Sequence, residues 1–337
     1  MFLGRPVLRV IVMGVLLLDI GSSFSQQFRS LIRMGHEHAH GTGVQHRGRL
    51  AIVLGLSLTV LLVEAVVAAV TGSLALLADA GHMLGDSVGI AMALAAITVA
   101  QRGGAPGSRR TFGYHRTEVL AAGLNGLLLL MLSAFVAWHA IGRLGSGVDL
   151  AATPILIAGA VGLVANAIGL VLLRAGAAES LNVRGAYLEV LGDTLGSVAV
   201  LVSASIIAFT GWSQADAIAS LVIAGLIIPR ALSLLRDVAE VLLESTPRDV
   251  DLVELRSHIV SMEGVVDVHD LHVWTITSGM PVMSAHVVVD DSVTQMGEAH
   301  SVLDRLHVCL AEHFDVEHST FQIEPAGHEQ SEPRVHH

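Results

Sequence analysis

The sequence predicts an α-helical membrane protein of six transmembrane helices followed by a C-terminal α/β domain. Three observations carry that prediction. Six apolar stretches of about twenty residues or more run between residues 50 and 235. The acidic residues concentrate after Glu240. The chain of 337 residues is 53% hydrophobic and only 15% charged, where a soluble globular protein carries about a quarter charged residues.

Taken in order, residues 1–46 read as an extension, largely disordered. Its apolar run, Val7 to Ile20, is interrupted by Asp19 and follows Arg5 and Arg9. It is too short for a bilayer span and lacks a clear small-residue cleavage site. Met34, followed at once by Gly-His-Glu-His-Ala-His, is the expected natural start. His36, His38, His40 and His46 form a histidine-rich arm, either merely solvated or able to capture metal weakly.

A membrane domain is expected over 47–240, with spans at about 50–71, 74–99, 117–140, 152–173, 184–209 and 215–235. Each is long enough to cross about 30 Å of hydrocarbon. Thr71-Gly72-Ser73 joins the first two as an antiparallel hairpin. Arg47 and Arg49, the loop with Arg102, Arg109, Arg110 and Arg116, the loop with Arg174 and Arg184, and Arg230 and Arg236 all fall on one side; the other has only Arg143. The positive-inside rule then puts both termini in the cytoplasm.

The sequence changes character at Thr246-Pro247. Amphipathic helices are predicted at 249–262 and 294–314, and strands at 265–275, 280–289 and 319–323. An α-β-β-α-β order in about 80 residues describes an open two-layer α/β domain, taken here as 241–326. The polar tail, 327–337, is expected to be disordered.

Composition excludes several functions. A net charge of -11 argues against nucleic acid as a partner. The single Cys309 rules out an intrachain disulfide and any multi-cysteine zinc cluster. The chain has no His-Glu-x-x-His pattern and no phosphate-cradling glycine loop ending in Lys-Ser/Thr, so neither a metallopeptidase nor a nucleotide-driven machine is expected. The protein is not read as an enzyme.

Ionisable residues inside the spans carry the functional reading. Asp79, His82 and Asp86 fall on one face of the second span. An aspartate at the centre of a membrane helix costs about 2.5–3.5 kcal/mol on insertion scales, a cost tolerated where such groups line an ion path. Glu189 and Asp193 repeat the i, i+4 spacing in the fifth span. At 1.5 Å per residue His82 and Asp86 lie roughly 13 and 19 Å from the outer end of their span, and Glu189 and Asp193 roughly 8–14 and 14–20 Å from the inner end of theirs. All four therefore converge near mid-membrane. One imidazole and three carboxylates suit four-coordinate Zn²⁺, with Co²⁺ and Cd²⁺ as competitors; Cu⁺ prefers sulfur and Mg²⁺ an oxygen octahedron. Ligands must be deprotonated to bind metal, and crowded buried carboxylates take up protons when the metal leaves. Metal and protons thus compete for one cluster, the physical basis of an antiporter. Asp79 could cap its helix or guide the ion. Glu64, in the first span, could make a structural hydrogen bond or act as a gate. Asn125 and Asn166 read as interhelical hydrogen-bonding residues.

Five stretches together are highly specific: Gly72 to Asp86, Phe112-Gly-Tyr-His-Arg-Thr-Glu118, Val190-Leu-Gly-Asp-Thr-Leu-Gly-Ser197, Asp216-Ala-Ile-Ala-Ser-Leu221 and His269-Asp-Leu-His-Val-Trp274. Over about residues 45–325 the chain resembles the cation diffusion facilitators. The resemblance implies a ferredoxin-like fold for the cytoplasmic domain, a homodimer, an address in a bacterial inner or plasma membrane, and proton-coupled efflux of Zn²⁺ or a similar divalent cation. It implies no cofactor beyond the transported metal and H⁺ as counter-ion. It maps the transport ligands to His82, Asp86, Glu189 and Asp193, with Glu189 standing where the family usually has histidine. That extra carboxylate is expected to shift selectivity toward Co²⁺ or Mn²⁺. It also implies a regulatory metal site at His269, His286 and Glu324, with Asp270 and His272 as nearby competitors. The loop from Arg109 to Glu118 is either a basic membrane anchor or a contact with the cytoplasmic domain, and Arg116 and Glu118 could pair with each other. The alternative function is a membrane metal sensor that binds without translocating.

Overall fold

The computed structural model describes residues 43–100, 109–145, 148–174, 181–277, 279–290, 293, 295–314, 316 and 318–328. Residues 1–33, Met34, His36, His38, His40, Arg102 and the tail from Glu329 lie outside the described residues.

Six long helices occupy the predicted positions: α1 Gly43–Thr71, α2 Leu74–Ala100, α3 Arg116–Arg143, α4 Ala152–Arg174, α5 Leu181–Thr210 and α6 Gln214–Leu242. Among the described residues, α3, α4 and α6, with α1 from Ile52 and α5 from Val183, are long and apolar enough to cross a membrane. The sixth, α2, runs for 27 residues and carries the acidic groups discussed below.

The α1–α2 hairpin is set by Gly72. Its φ of +71° lies in the left-handed region, where a side chain is disfavoured. Its N–H closes the end of α1 on the Ala68 carbonyl at 2.8 Å. Its own carbonyl accepts from Arg143 Nη1 at 2.6 Å. The start of α2 is capped from another helix. Asp216, on the first turn of α6, accepts from Ser73 Oγ at 2.5 Å, Leu74 N–H at 2.7 Å and Ala75 N–H at 3.4 Å. A buried carboxylate thus meets the free N–H groups and positive dipole end of α2.

The chain divides into two compact units, residues 43–91 with 124–233, and residues 92–123 with those from 234 onward. The core of the first is built from Leu76, Val136, Ile155, Val200 and Ile223, interleaved with alanines such as Ala158, Ala204 and Ala217. Small residues let helices approach closely where lipid supplies no hydrophobic driving force between them. Large apolar side chains such as Leu62, Trp138, Val171 and Phe209 face outward instead.

The second unit contains the α/β domain: α7 Leu252–Val260, β1 Val265–Thr275, β2 Pro281–Val289, α8 Met296–His313 and β3 His318–Pro325. Asp251 caps α7, accepting from the N–H groups of Val253 and Glu254. The sheet order is β1-β2-β3, with β1–β2 antiparallel and β2–β3 parallel. A parallel pair needs a crossover, and α8 supplies it. One sheet face, with Val268, Val273, Met283, Ala285 and Val287, packs on Leu255, Ile259, Leu306 and Leu310 of the two helices. The opposite face is left for other chemistry.

Within this unit the 109–118 segment meets the α/β domain. Glu118 Oε2 accepts from the Thr277 hydroxyl at 2.8 Å, and Phe112 stands edge-on to His318 at 5.6 Å. Arg116 pairs with Glu244 at 2.8 Å rather than with Glu118. Helical positions two apart point to different sides, so the Arg116–Glu118 pairing that the sequence left open is geometrically disfavoured.

Asp216→Ala removes a buried acceptor from three donors. It is expected to lower unfolding stability by about 2 kcal/mol, measurable by denaturant unfolding of the purified protein in detergent.

Candidate metal centre

Helical spacing puts His82 and Asp86 one turn apart on α2, and Glu189 and Asp193 one turn apart on α5. The packing of the helices brings three of them together. His82 Nε2 lies 3.6 Å from Asp86 Oδ2 and 3.8 Å from Asp193 Oδ1. One ligand atom of each lies within 4.8 Å of the others. Bonds of 2.0–2.1 Å to a tetrahedral ion would hold its ligands about 3.3–3.4 Å apart, so the two distances from His82 exceed that spacing by only a few tenths of an ångström.

Glu189 is not part of that triad; its carboxyl lies against Asp86, one turn along α5 from Asp193. Asp86 Oδ2 and Asp193 Oδ1, the oxygens that face His82 Nε2, are buried without a hydrogen-bond partner. Buried polar atoms are rarely left orphaned, and two such oxygens converging with an imidazole nitrogen fit a cation. Arg230 of α6 also acts electrostatically on all four residues. In the sequence Arg230 serves only as a topology marker. The available signal was an arginine directly after Pro229 inside an apolar helix.

Asp79 points elsewhere. Its carboxylate fills the space left by Gly196 of α5 and meets the Ser197 hydroxyl. Asn166 Nδ2 donates to the same hydroxyl at 3.3 Å, the interhelical hydrogen bond expected of it.

In the α/β domain a second cluster sits on the sheet face away from the helices. His269 of β1 stands directly opposite His286 of β2, their rings 5.1 Å apart. Glu324 of β3, only 2% exposed, bridges them: Oε1 is 2.9 Å from His286 Nδ1 and Oε2 is 3.5 Å from His269 Nε2. All three residues named from sequence therefore meet. Asp270 joins them, with Oδ2 4.0 Å from His286 Nδ1. It occupies a register shift between His269 and His272 and has φ +47°. A bulge of this kind re-aims a side chain, and aspartate tolerates the left-handed region better than most residues. His272 falls beyond the shift, opposite Ser284. Two imidazoles and two carboxylates again make a set suited to Zn²⁺ or a similar ion.

The family model for the cation efflux transmembrane domain matches residues 50–243, and that for the cation efflux cytoplasmic domain matches 247–326. The chain is 43% identical over 302 residues to the metal cation efflux system protein CzcD of Cupriavidus metallidurans, covering 90% of this chain and 93% of that one. It is 37% identical over 297 residues to a cadmium, cobalt and zinc/H(+)-K(+) antiporter of Bacillus subtilis, covering 88% and 93%. A solved structure of the metal-bound C-terminal domain of the Cupriavidus metallidurans CzcD transporter is 41% identical over 22% of this chain and 99% of that one, with a TM-score of 0.21.

The two clusters are separable by titration of the full-length protein with Zn²⁺. His269→Ala with His286→Ala is expected to weaken one class of site by at least about tenfold and leave the other intact. Asp193→Ala is expected to do the converse.

Proposed function

Because the chain belongs to the cation efflux family, we propose that it exports divalent metal cations from the cytoplasm in exchange for protons, with Zn²⁺ as the first substrate and Co²⁺ and Cd²⁺ as competitors. The observation that carries this reading is the convergence of orphaned ligand atoms from α2 and α5. The printed names of the relatives, a metal cation efflux protein and a cadmium, cobalt and zinc antiporter, support the substrate class.

In this mechanism the ion sheds its water as His82, Asp86, Asp193 and Glu189 close on it. Binding requires neutral imidazole and ionised carboxylates, so protons leave as metal enters. Access from the outer side lets protons return to the carboxylates and release the ion. The side chains do the exchange; the helix pair supplies the fixed geometry. Glu189 adds a hard oxygen where the family usually offers nitrogen, which favours Co²⁺ and Mn²⁺ relative to a two-histidine site.

The clustering of arginines supports a topology with both termini in the cytoplasm and the α/β domain on that side. Homodimerisation through that domain, an address in a bacterial inner or plasma membrane, and metal regulation through His269, His286, Glu324 and Asp270 complete the reading. We assign the membrane domain to 47–240 and the cytoplasmic domain to 241–326. A membrane sensor would bind metal at the same residues without moving it.

Flux into proteoliposomes separates the two. Wild type should accumulate Zn²⁺ faster when the lumen is acidified and release protons as it does so. Asp193→Ala should lose both, by at least about 100-fold in rate. Binding with no gradient-dependent flux in the wild type would make the protein a sensor.

A further inference from the structure

Glu64 of α1 is completely buried, and neither carboxylate oxygen has a hydrogen-bond partner. It has no place in the metal cluster. Its surroundings are nonetheless built for a carboxyl group. Helix α1 packs against α4 and α5. Gly162 of α4 leaves the space: a Cβ there would lie 2.7 Å from Glu64 Oε1 and 3.0 Å from Ser197 Oγ, so both oxygens border one small opening. Next to Ser197 in the chain, Gly196 leaves the matching space for the Asp79 carboxylate. Asp79 Oδ2 is likewise buried and unpartnered.

Donor and acceptor counting then assigns roles. A serine hydroxyl has one proton to donate and two lone pairs to accept with. At Ser197 one lone pair takes Asn166 Nδ2–H, and the proton goes to Asp79. One lone pair remains, bordering the opening into which Glu64 Oε1 projects. An ionised Glu64 could offer it nothing, being an acceptor only; a carboxylic acid has an O–H to donate. The charged groups facing Glu64 are Asp79 from α2 and, through space, Asp193 from α5; its α4 neighbours Asn166 and Gly162 carry no charge.

We infer that Glu64, Ser197 and Asp79 form a proton-carrying site distinct from the metal cluster, which holds one counter-transported proton. The step balances. The Glu64 O–H breaks as its proton passes to Ser197 Oγ, and the serine's own proton moves to Asp79. The acid at Glu64 and the carboxylate at Asp79 exchange identities, with the serine unchanged. This inference rests on the antiport reading above and says where its proton is held. It also gives the two glycines a function: a methyl group at either position would occupy space that a carboxyl oxygen now fills.

The test follows Zn²⁺ and H⁺ flux together in proteoliposomes of the full-length protein, for wild type, Glu64→Gln and Ser197→Ala. Zn²⁺ affinity of Glu64→Gln should stay within about twofold of wild type, as expected of separate sites. Its proton-to-zinc ratio should fall by about one proton per ion, and its flux should lose most of its response to lumenal acidification. A wild-type ratio and pH response in Glu64→Gln would overturn the inference while leaving antiport intact. Absence of proton counterflow in the wild type would instead overturn antiport itself. If Glu64→Gln fails to assemble, Ser197→Ala decides, because it keeps both carboxyls. Slowed counterflow supports the wire, and unchanged counterflow overturns it.

Discussion

A carboxylate inside a helix bundle must find a donor, a counter-charge or an ion, because the surrounding hydrocarbon offers none. The arrangement of the membrane helices follows from satisfying that demand for several acids at once. Each acid receives a different answer. Asp216 meets the free N–H groups that begin α2 and becomes a cap. Asp79 and Glu64 border Ser197 through openings left by glycines. Asp86 and Asp193 flank the His82 imidazole and keep oxygen atoms without partners. The same residue type thus caps a helix, borders a hydroxyl or faces an imidazole according to what the neighbouring helix offers.

These assignments depend on one another through helix placement. Asp216 fixes the start of α2, and every functional group of α2 is counted from that start at 1.5 Å per residue. A displacement of one residue there would turn His82 and Asp86 by about 100° away from α5. The small residues on α4 and α5 then set how closely the helices approach.

The α/β domain holds its cluster by different means. A sheet places directly opposed residues about 4.5–5.5 Å apart, which brings His269 and His286 into one site with no help from helix packing. The parallel pairing of β3 brings Glu324 beside them. The bulge at Asp270 re-aims one more acid toward His286. That cluster is framed by neighbouring strands of one hydrogen-bonded sheet, whereas the membrane site is shared between two separate helices.

The sequence by itself determined the six long helices, the α-β-β-α-β order and the identity of the candidate ligands. Periodicity and span length are local properties, and an acid within an apolar run is conspicuous wherever it points. His82, Asp86 and Asp193 were legible in this way, whereas His269, His286 and Glu324 were named only by the resemblance to the family. Only the tertiary structure decided which acids share a site. It set Glu189 against Asp86 and outside the tight triad, gave Asp79 to Gly196 and Ser197, and paired Arg116 with Glu244. It also brought the electrostatic reach of Arg230 into the metal cluster and the left-handed Asp270 toward His286. The physical reason is that helical and strand periods fix the direction of a side chain relative to its own element, while its partners depend on the rotation and spacing of the neighbour. Those are set by close packing between segments about a hundred residues apart, which no local pattern encodes.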